Sequence, residues 1–557
     1  MLIIFFIQLI LLLCFAGTGF LIEHFRGNPP TGKHPVILAI NGLIFFTAVA
    51  QIIALFLPVN LTTGVIIFLL IILIACLKKN FINNLINYIQ SQSRSLPLSA
   101  LLLIIASWMI MIMMAAGPIL MDDTDSYHIQ MIKWIQEYGS VPGIVNLHSR
   151  FGFNSSWFSS VALLGYSSST FNLYTTLNSF LSFLFCYYLV SRIFDPTLSF
   201  NTRSGFILVF VASIVLWPLT RGNSATSNYD FITTVTIFIL FAETWLAPKN
   251  SLLLTGEWFI WPAYLFTVRI INAPLLLISM IAFMMLVKRK EISKILICAG
   301  AMTGLILPFL IRNIIVSGFP FYPVTALGFI HVDWQPNASS IDELLFYIKY
   351  YNRVGTAYLD LAQTESLGNW GWIPTWFRYL FIYDKIILLA GMAGLVSGFM
   401  YGLRSRQKLS PARMIFFVLW IQLVVWFLIA PDPRFVYGPL LCGVLLLPVI
   451  WPEKIFRCFS IRSISIGSSA FGLAIIFFLA LKASKDNAYR NWIRPLSLPV
   501  PTVNSIQIDG IPMNIPEKMN DNWNTRCYGT ALPCIYALNP KLEPRGKKIK
   551  DGFRVKK

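Results

Sequence analysis

Three carboxylates fall within four residues, Asp122, Asp123 and Asp125, just after an apolar run from Pro97 to Ala116. A carboxylate at the mouth of a membrane span is costly to desolvate, so a group of them there calls for a chemical reason. Charge patterning places Arg150, Arg269, Arg312 and Arg434 on the same side of the membrane as these acids. A positioned carboxylate takes the proton of an attacking hydroxyl and typically contributes about 10²–10⁴-fold to rate. Guanidinium groups grip phosphate oxygens in pairs and offset charge that grows on a phosphate leaving group. Acids and arginines on one face therefore read as a site that deprotonates an acceptor and neutralises a phosphate. Plainer assignments exist for each residue. Asp122 and Asp123 also suit a solvated loop, and Asp125 or Thr124 suits the N-cap of a helix over 126–138. His128 stands three residues after Asp125 and suits pairing with it. Arg434, in Pro431-Asp432-Pro433-Arg434-Phe435, has Asp432 as an alternative partner, and Trp334 beside Asp333 suits a membrane-interface belt.

Positioning these groups falls to helices that cross a bilayer. The 557 residues are 56% hydrophobic and only 12% charged, with mean hydropathy +0.69. Soluble domains carry about 25% charged residues, so the fold expected is an all-α polytopic membrane protein. The net charge of +19 lies largely in short loops between apolar spans, as in cytoplasmic loops, and sets nucleic acid aside as a partner. Apolar runs close to the ~20 residues a bilayer needs fall at 2–22, 35–57, 61–77 and 97–116, and continuing along the chain gives about 13–14 helices. Lys33, Lys78, Lys79 and Arg94 put the early loops inside; Lys288 to Lys290, Arg404, Arg406, Lys408, Lys454 and Arg457 do the same further on. Asp122 is thereby outside. The transmembrane domain spans 1–482, with large outside loops at 117–169 and 317–383, and the tail 483–557 is outside with 13 Lys/Arg against 6 Asp/Glu.

Several local features carry expectations. Ile129, Ile132 and Ile135 share one stripe of the 126–138 helix, away from Lys133 and Glu137, which lays it along the membrane surface. The short, polar stretch Ser155–Tyr166 reads as re-entrant or interfacial, and Asn272 and Pro274 break an apolar run at membrane depth, which is tolerated where a cavity is lined. Cys14, Cys76, Cys186, Cys298 and Cys442 lie in apolar spans and Cys458 in a basic loop, as small hydrophobes or reduced thiols. Cys527 and Cys534 stand close together in the outside tail and read as a disulfide. No Cys/His spacing suits zinc, while the acidic triplet leaves Mg²⁺ or Mn²⁺ open as a cofactor.

An acidic pair after an early span, followed by Tyr127, Tyr138-Gly139 and Pro142, resembles the first outside loop of the GT-C membrane glycosyltransferases. More narrowly, the stretch Asp125–Phe158, the Ile311–Pro323 segment, Asp333-Trp334 and Pro431–Phe435 resemble a group of bacterial membrane proteins of that superfamily. The resemblance implies a GT-C-like bundle in the bacterial inner membrane with its active site on the periplasmic side. It implies a sugar donor on a polyprenyl phosphate, an acceptor that is a glycan, glycolipid or protein, and inversion at the anomeric carbon. By it Asp122 or Asp123 would be the base and Arg434 would touch the lipid phosphate; charge patterning adds Asp125 beside the pair and Arg150, Arg269 and Arg312 as further phosphate ligands. Tyr127, His128, Asp333 and Trp334 would line the substrate site. Four spans precede the acidic loop, more than in the protein mannosyltransferase and aminoarabinose transferase branches, and the tail is too short for the large outside domain of some relatives. A polymerase or ligase using lipid-pyrophosphate glycans, or a lipid or glycan transporter, are the competing classes. One consequence is directly testable: with free thiols blocked at lysis, Cys527 and Cys534 should become alkylable only after reduction, and free alkylation of both would refute the disulfide.

Overall fold

A computed structural model describes residues 1–26, 33–78, 81–93, 96–216, 222–247, 254–354, 363, 366–404, 411–450, 461–517, 526–535 and 538–556. Lys79, Arg94, Arg406, Lys408, Lys454, Arg457 and Cys458, on which part of the loop assignment rests, lie outside the described residues. Among the described residues eight helices are long and apolar enough to cross a membrane, or up to nine if one bent pair counts as a single span. The chain is a multi-pass membrane protein.

The first helices are α1 (Leu2–Phe25), α2 (Pro35–Ala54), the bent pair α3 (Leu61–Leu77) and α4 (Phe81–Ser93), and α5 (Leu98–Ala116). Two short helices follow, α6 (Ile129–Tyr138) and α7 (Ser156–Leu164). Next come α8 (Thr176–Ile193), α9 (Phe200–Phe210), α10 (Asp230–Leu246), α11 (Thr255–Val268) and α12 (Leu276–Lys288). The last group is α13 (Ile292–Ser317), α14 (Ala338–Val354), α15 (Trp372–Tyr379), α16 (Ile382–Arg404), α17 (Pro411–Ile429), α18 (Tyr437–Leu446) and α19 (Ile461–Lys485).

Helices α10, α11 and α18, with 17, 14 and 10 residues, are short for a span, and α8 is more polar than the spans above. Every residue of α18 is buried, and α8 buries Asn178, Ser179 and Ser182. There Asn178 accepts from the Trp157 indole and donates to the Asn228 carbonyl, and Ser179 donates to the Met111 carbonyl. A helix enclosed by others can be polar where its neighbours supply hydrogen bonds. The lipid-facing apolar side chains lie instead on α3, α5, α12, α13, α17 and α19, for example Leu69, Ile105, Met280, Leu296, Val424 and Phe477. Close approach is built with glycine: a Cβ at Gly19 or Gly42 would overlap the backbone of the facing helix in the α1–α2 pair. The expected break near Asn272 and Pro274 is present as a 3₁₀ segment, Ile270–Leu275, between α11 and α12.

Two local expectations are corrected. The acidic turn is already helical at Asp122 and Asp123 and continues as a π-helical turn, Thr124–His128, so neither Thr124 nor Asp125 is an N-cap. Its widened hydrogen bond runs from the Ile129 amide to the Thr124 carbonyl. Helix α6 is enclosed within the fold and presents no free apolar stripe. Ile129, Gln130, Met131, Ile132, Trp134 and Ile135 are all buried, because α7 packs on one side and the C-terminal tail covers another. The tail also departs from an all-α fold by adding two hairpins. β1 (Val503–Ile508) pairs with β2 (Ile511–Pro516) across Asp509-Gly510, both at positive φ, and β3 (Leu542–Pro544) pairs with β4 (Phe553–Val555).

At the end of the bundle remote from the acidic turn, charges are neutralised in place. Lys33 Nζ lies 2.7 Å from Glu257 and 3.1 Å from Glu23, and Arg26 lies 2.8 Å from Glu23. Asn41 donates to Glu257 and accepts from the Trp261 indole. Removing one partner of a buried pair strands the other charge, so Lys33→Met should cost about 3–5 kcal/mol in detergent unfolding. A loss below ~1 kcal/mol would show the network to be solvated, since exposed pairs are worth no more than that.

Candidate functional site

Residues two apart on a helix face away from each other, and residues three apart share a face. Asp123 therefore looks to one side of the acidic turn, and Asp122 and Asp125 to the other. On the first side Asp123 sits between two guanidiniums, its Oδ1 2.9 Å from Arg150 and its Oδ2 3.0 Å from Arg434. Arg434 also lies 2.9 Å from Asp432 and 3.8 Å from Asp230, and Asp230 pairs with Arg269. Three arginines and three aspartates thus close into one neutral cluster. Aromatic rings wall it: Arg269 lies 3.5 Å from the Phe435 ring centroid, and Arg150 lies over Tyr127 and Tyr347 at 5.3 and 5.7 Å. Tyr127 and Tyr229 meet through their hydroxyls at 3.4 Å.

The cluster is reachable. Asp123, Arg150, Arg269 and Arg434 are each 21–30% exposed, so an anion can touch the guanidiniums without unfolding anything. Burial works to raise the Asp123 carboxyl, but Arg434, Arg150 and His128 outweigh it and hold the group well below the usual carboxylate range. His128 is buried beside the Tyr127, Phe158 and Tyr229 rings, with Nδ1 3.3 Å from the Thr124 hydroxyl. Burial first, opposed by Asp123 and reinforced by the arginines, pushes it down to about 3, so it is a neutral imidazole. His128 is not paired with Asp125.

On the other face Arg526, from the tail, lies 3.0 Å from the exposed Asp122 and 3.7 Å from Asp125. Asp125 is 7% exposed, and its Oδ1 has no hydrogen-bond partner among the described residues. Burial raises its carboxyl to about 7, with Arg526 opposing and Asp122 adding to the rise. Cys527 and Cys534 are joined by a disulfide, and the carbonyls of the loop between them accept from Gln130 and Lys133 of α6.

Other sequence candidates stand apart. Arg312 is buried in α13 with Asn154 as its hydrogen-bond partner, and its Nε and Nη2 have none among the described residues. Asp333 pairs with Arg545 and Arg554 of the tail at 3.0 and 3.4 Å. Trp334 donates to the Ile314 carbonyl under the Arg545 guanidinium. Both anchor the tail and do not face the arginine cluster. Of the aromatic run at 346–379, Tyr347 reaches Arg150, while Trp372 and Trp376 pack against Phe427. Asp230, Tyr229 and Arg526 escaped the sequence reading. Asp230 carried the same signal as Asp122, a carboxylate at the end of an apolar run; Arg526 carried none. Asp123 faces Arg150 and Arg434, and Asp122 and Asp125 face Arg526; among the described residues no group of three His, Cys, Asp or Glu side chains is arranged to hold a metal.

Fold and site together define a multi-pass helical membrane protein with an arginine–aspartate cluster at one end of its bundle. The chain belongs to a family described as a domain of unknown function (DUF8201), whose model matches residues 1–441. That stretch holds the whole arginine–aspartate cluster and stops short of the tail that supplies Arg526. No curated protein and no solved structure matches the chain.

Asp125 makes a pH prediction. With its carboxyl near 3.8 when unfolded and about 7 when folded, the folded state binds the extra proton between those values. Stability therefore falls as pH rises through that window and stays low above it, whereas the depressed Asp123 contributes stability that is lost as pH falls. Asp125→Asn should abolish the fall and melt higher than wild type above the window. Parallel melting-temperature curves for the two proteins would refute the raised carboxyl.

Proposed function

We propose that this chain is a membrane glycosyltransferase of the GT-C kind. It would move a sugar from a polyprenyl-phosphate donor to a hydroxyl of an envelope glycan, glycolipid or protein, on the periplasmic side of the bacterial inner membrane, within a bundle of 13–14 helices if the enclosed ones also cross. The observation that carries this reading is Asp123 held between Arg150 and Arg434, with Arg269 alongside. In the resting state the carboxylates occupy the guanidiniums. A donor phosphate competes for the same N–H groups, and its bidentate geometry suits them better than a single carboxylate oxygen each.

In the reaction the acceptor oxygen forms a bond to the anomeric carbon as the bond from that carbon to phosphate oxygen breaks. The electron pair leaves with the polyprenyl phosphate, where the arginines offset the new charge, and the acceptor proton passes to a carboxylate. Asp123, ionised and gripped by two arginines, accepts a proton poorly until phosphate takes those arginines away. Asp125 looks to the other face of the turn, so Asp123, freed as phosphate takes its arginines, is the carboxylate placed to receive it. A second reading, a polymerase or ligase acting on lipid-pyrophosphate glycans, draws on the same density of guanidiniums around one anion position and has less need of a carboxylate base.

Donor-lipid binding and single-turnover transfer by the full chain in nanodiscs separate these roles. Arg150→Ala and Arg434→Ala should each weaken donor binding about 10–100-fold, the worth of a charged hydrogen bond, and Arg434→Lys should recover part of it. Asp123→Asn should leave donor binding nearly intact and slow transfer about 10²-fold. Full transfer by Asp123→Asn and Asp122→Asn would favour the ligase reading, and unchanged donor binding in both alanine variants would remove the phosphate site.

A further inference from the structure

The turn between β3 and β4 carries Lys547, Lys548 and Lys550, all exposed. The acids around them are already engaged. Glu543 lies 2.7 Å from Lys556 and 3.5 Å from Arg554, and Asp333 takes Arg545 and Arg554. Asp551 accepts from the Lys548 amide, which closes the turn. Among the described residues the three lysines form no ion pair with any carboxylate. We infer that this turn is a docking surface for the headgroups of anionic phospholipids, which seat the tail beside the C-terminal end of α2 whether or not the protein transfers sugar.

Depth in the bilayer selects the partner. Lys550 Nζ lies 3.4 Å from the Phe56 carbonyl, just past the last residue of α2. Helix α2 is one of the apolar spans, and α3, which begins at Leu61, leaves most of its apolar side chains open to lipid. Between the two helices the side chains of Phe56 and Leu57 are 70% and 60% exposed. An ammonium is costly in hydrocarbon, whereas large apolar side chains at the end of a span gain by leaving water. Both demands are met together at the headgroup layer, where lysines at span ends lie with their apolar stems in the bilayer and their charges at its surface. There the lysines meet phosphate groups, and an anionic headgroup brings no ammonium of its own to repel them. Each lysine near an anionic surface is worth about fivefold in binding.

The hairpin holds the lysines at that depth. Leu542 pairs with Val555 and Pro544 with Phe553, and the Arg545 amide donates to the Gly552 carbonyl. Gly552 takes a positive φ against Pro142, where a Cβ would overlap the proline. The next amide, of Phe553, donates to the Pro142 carbonyl and fastens the hairpin to the acidic loop. With the backbone of the turn already built, docking on headgroups orders little more than the lysine side chains.

The test uses the full chain in nanodiscs of phosphatidylcholine with an increasing share of phosphatidylglycerol. Acylation by an N-hydroxysuccinimide ester is timed at each lysine by peptide mass spectrometry. Lys485, exposed at the end of α19 beside the Lys482–Asp486 pair, gauges the general surface potential. At twice its half-saturating share, phosphatidylglycerol should slow Lys547, Lys548 and Lys550 about threefold relative to Lys485. Sodium chloride at about 1 M, where the Debye length is about 3 Å, should remove the difference. Lys550→Gln should raise the share needed for half the effect at Lys547 and Lys548 about fivefold. Inorganic phosphate, added to discs of phosphatidylcholine alone, should protect none of the three. Equal slowing at Lys485, no slowing anywhere, protection by inorganic phosphate, or an unchanged midpoint in Lys550→Gln would overturn the inference. Donor-lipid binding is read separately, and its absence would leave the headgroup surface standing.

Discussion

Charge has to be cancelled locally where water is scarce, and that constraint shapes both ends of this bundle. At one end Asp123 joins the acidic turn, the loop at Arg150 and the late turn at Arg434, segments 27 and 311 residues away in sequence. Asp230 and Arg269 extend the same cluster to the start of α10 and the end of α11. At the other end Lys33, Glu23 and Glu257 tie α1, α2 and α11 together. The two networks differ in a way that bears on function. The Lys33 group is sealed, whereas the Asp123 group is partly open, so only the second can exchange a carboxylate for an incoming anion.

The acidic stretch has two working faces, and a π-helical turn joins it to α6. An α-helix would hold Asp122 and Asp125 on one side just as well, but the extra residue in the turn widens it beneath His128 and carries it straight into α6. Such turns recur at functional sites because they reorient side chains without ending the helix. Here the result is one carboxylate between two arginines of the bundle and two acids toward Arg526 of the tail. Helix α6 then carries both faces rigidly, since it is packed by α7 and clasped by the disulfide-closed loop of the tail.

The tail is more than an appendage. Its second hairpin meets the acidic loop through the Phe553 amide and the Pro142 carbonyl, and Asn146 donates to the Phe553 carbonyl. Asp333, Arg545 and Arg554 lock the same contact from the other side. Residues that look like substrate ligands when read one at a time, Asp333 and Trp334, therefore serve to seat a β-structured cover on a helical bundle.

Local chemistry explains what could be read without coordinates. Apolar runs of bilayer length gave the helical, polytopic class, the breaker pair Asn272 and Pro274 gave the interrupted helix, and the spacing of Asp122, Asp123 and Asp125 already placed one acid opposite the other two. Partner choice was different. Nothing periodic links residue 123 to residue 434, or Asp125 to an arginine beside Cys527, so only the packed chain could show that Arg312 stays apart and Arg526 comes near. The amphipathic stripe of α6 spoke for a membrane surface because a helix pattern records that one face is apolar, not what covers the rest. Likewise the polar residues of α8 weaken its hydropathy while its neighbours satisfy them, a compensation that exists only in three dimensions.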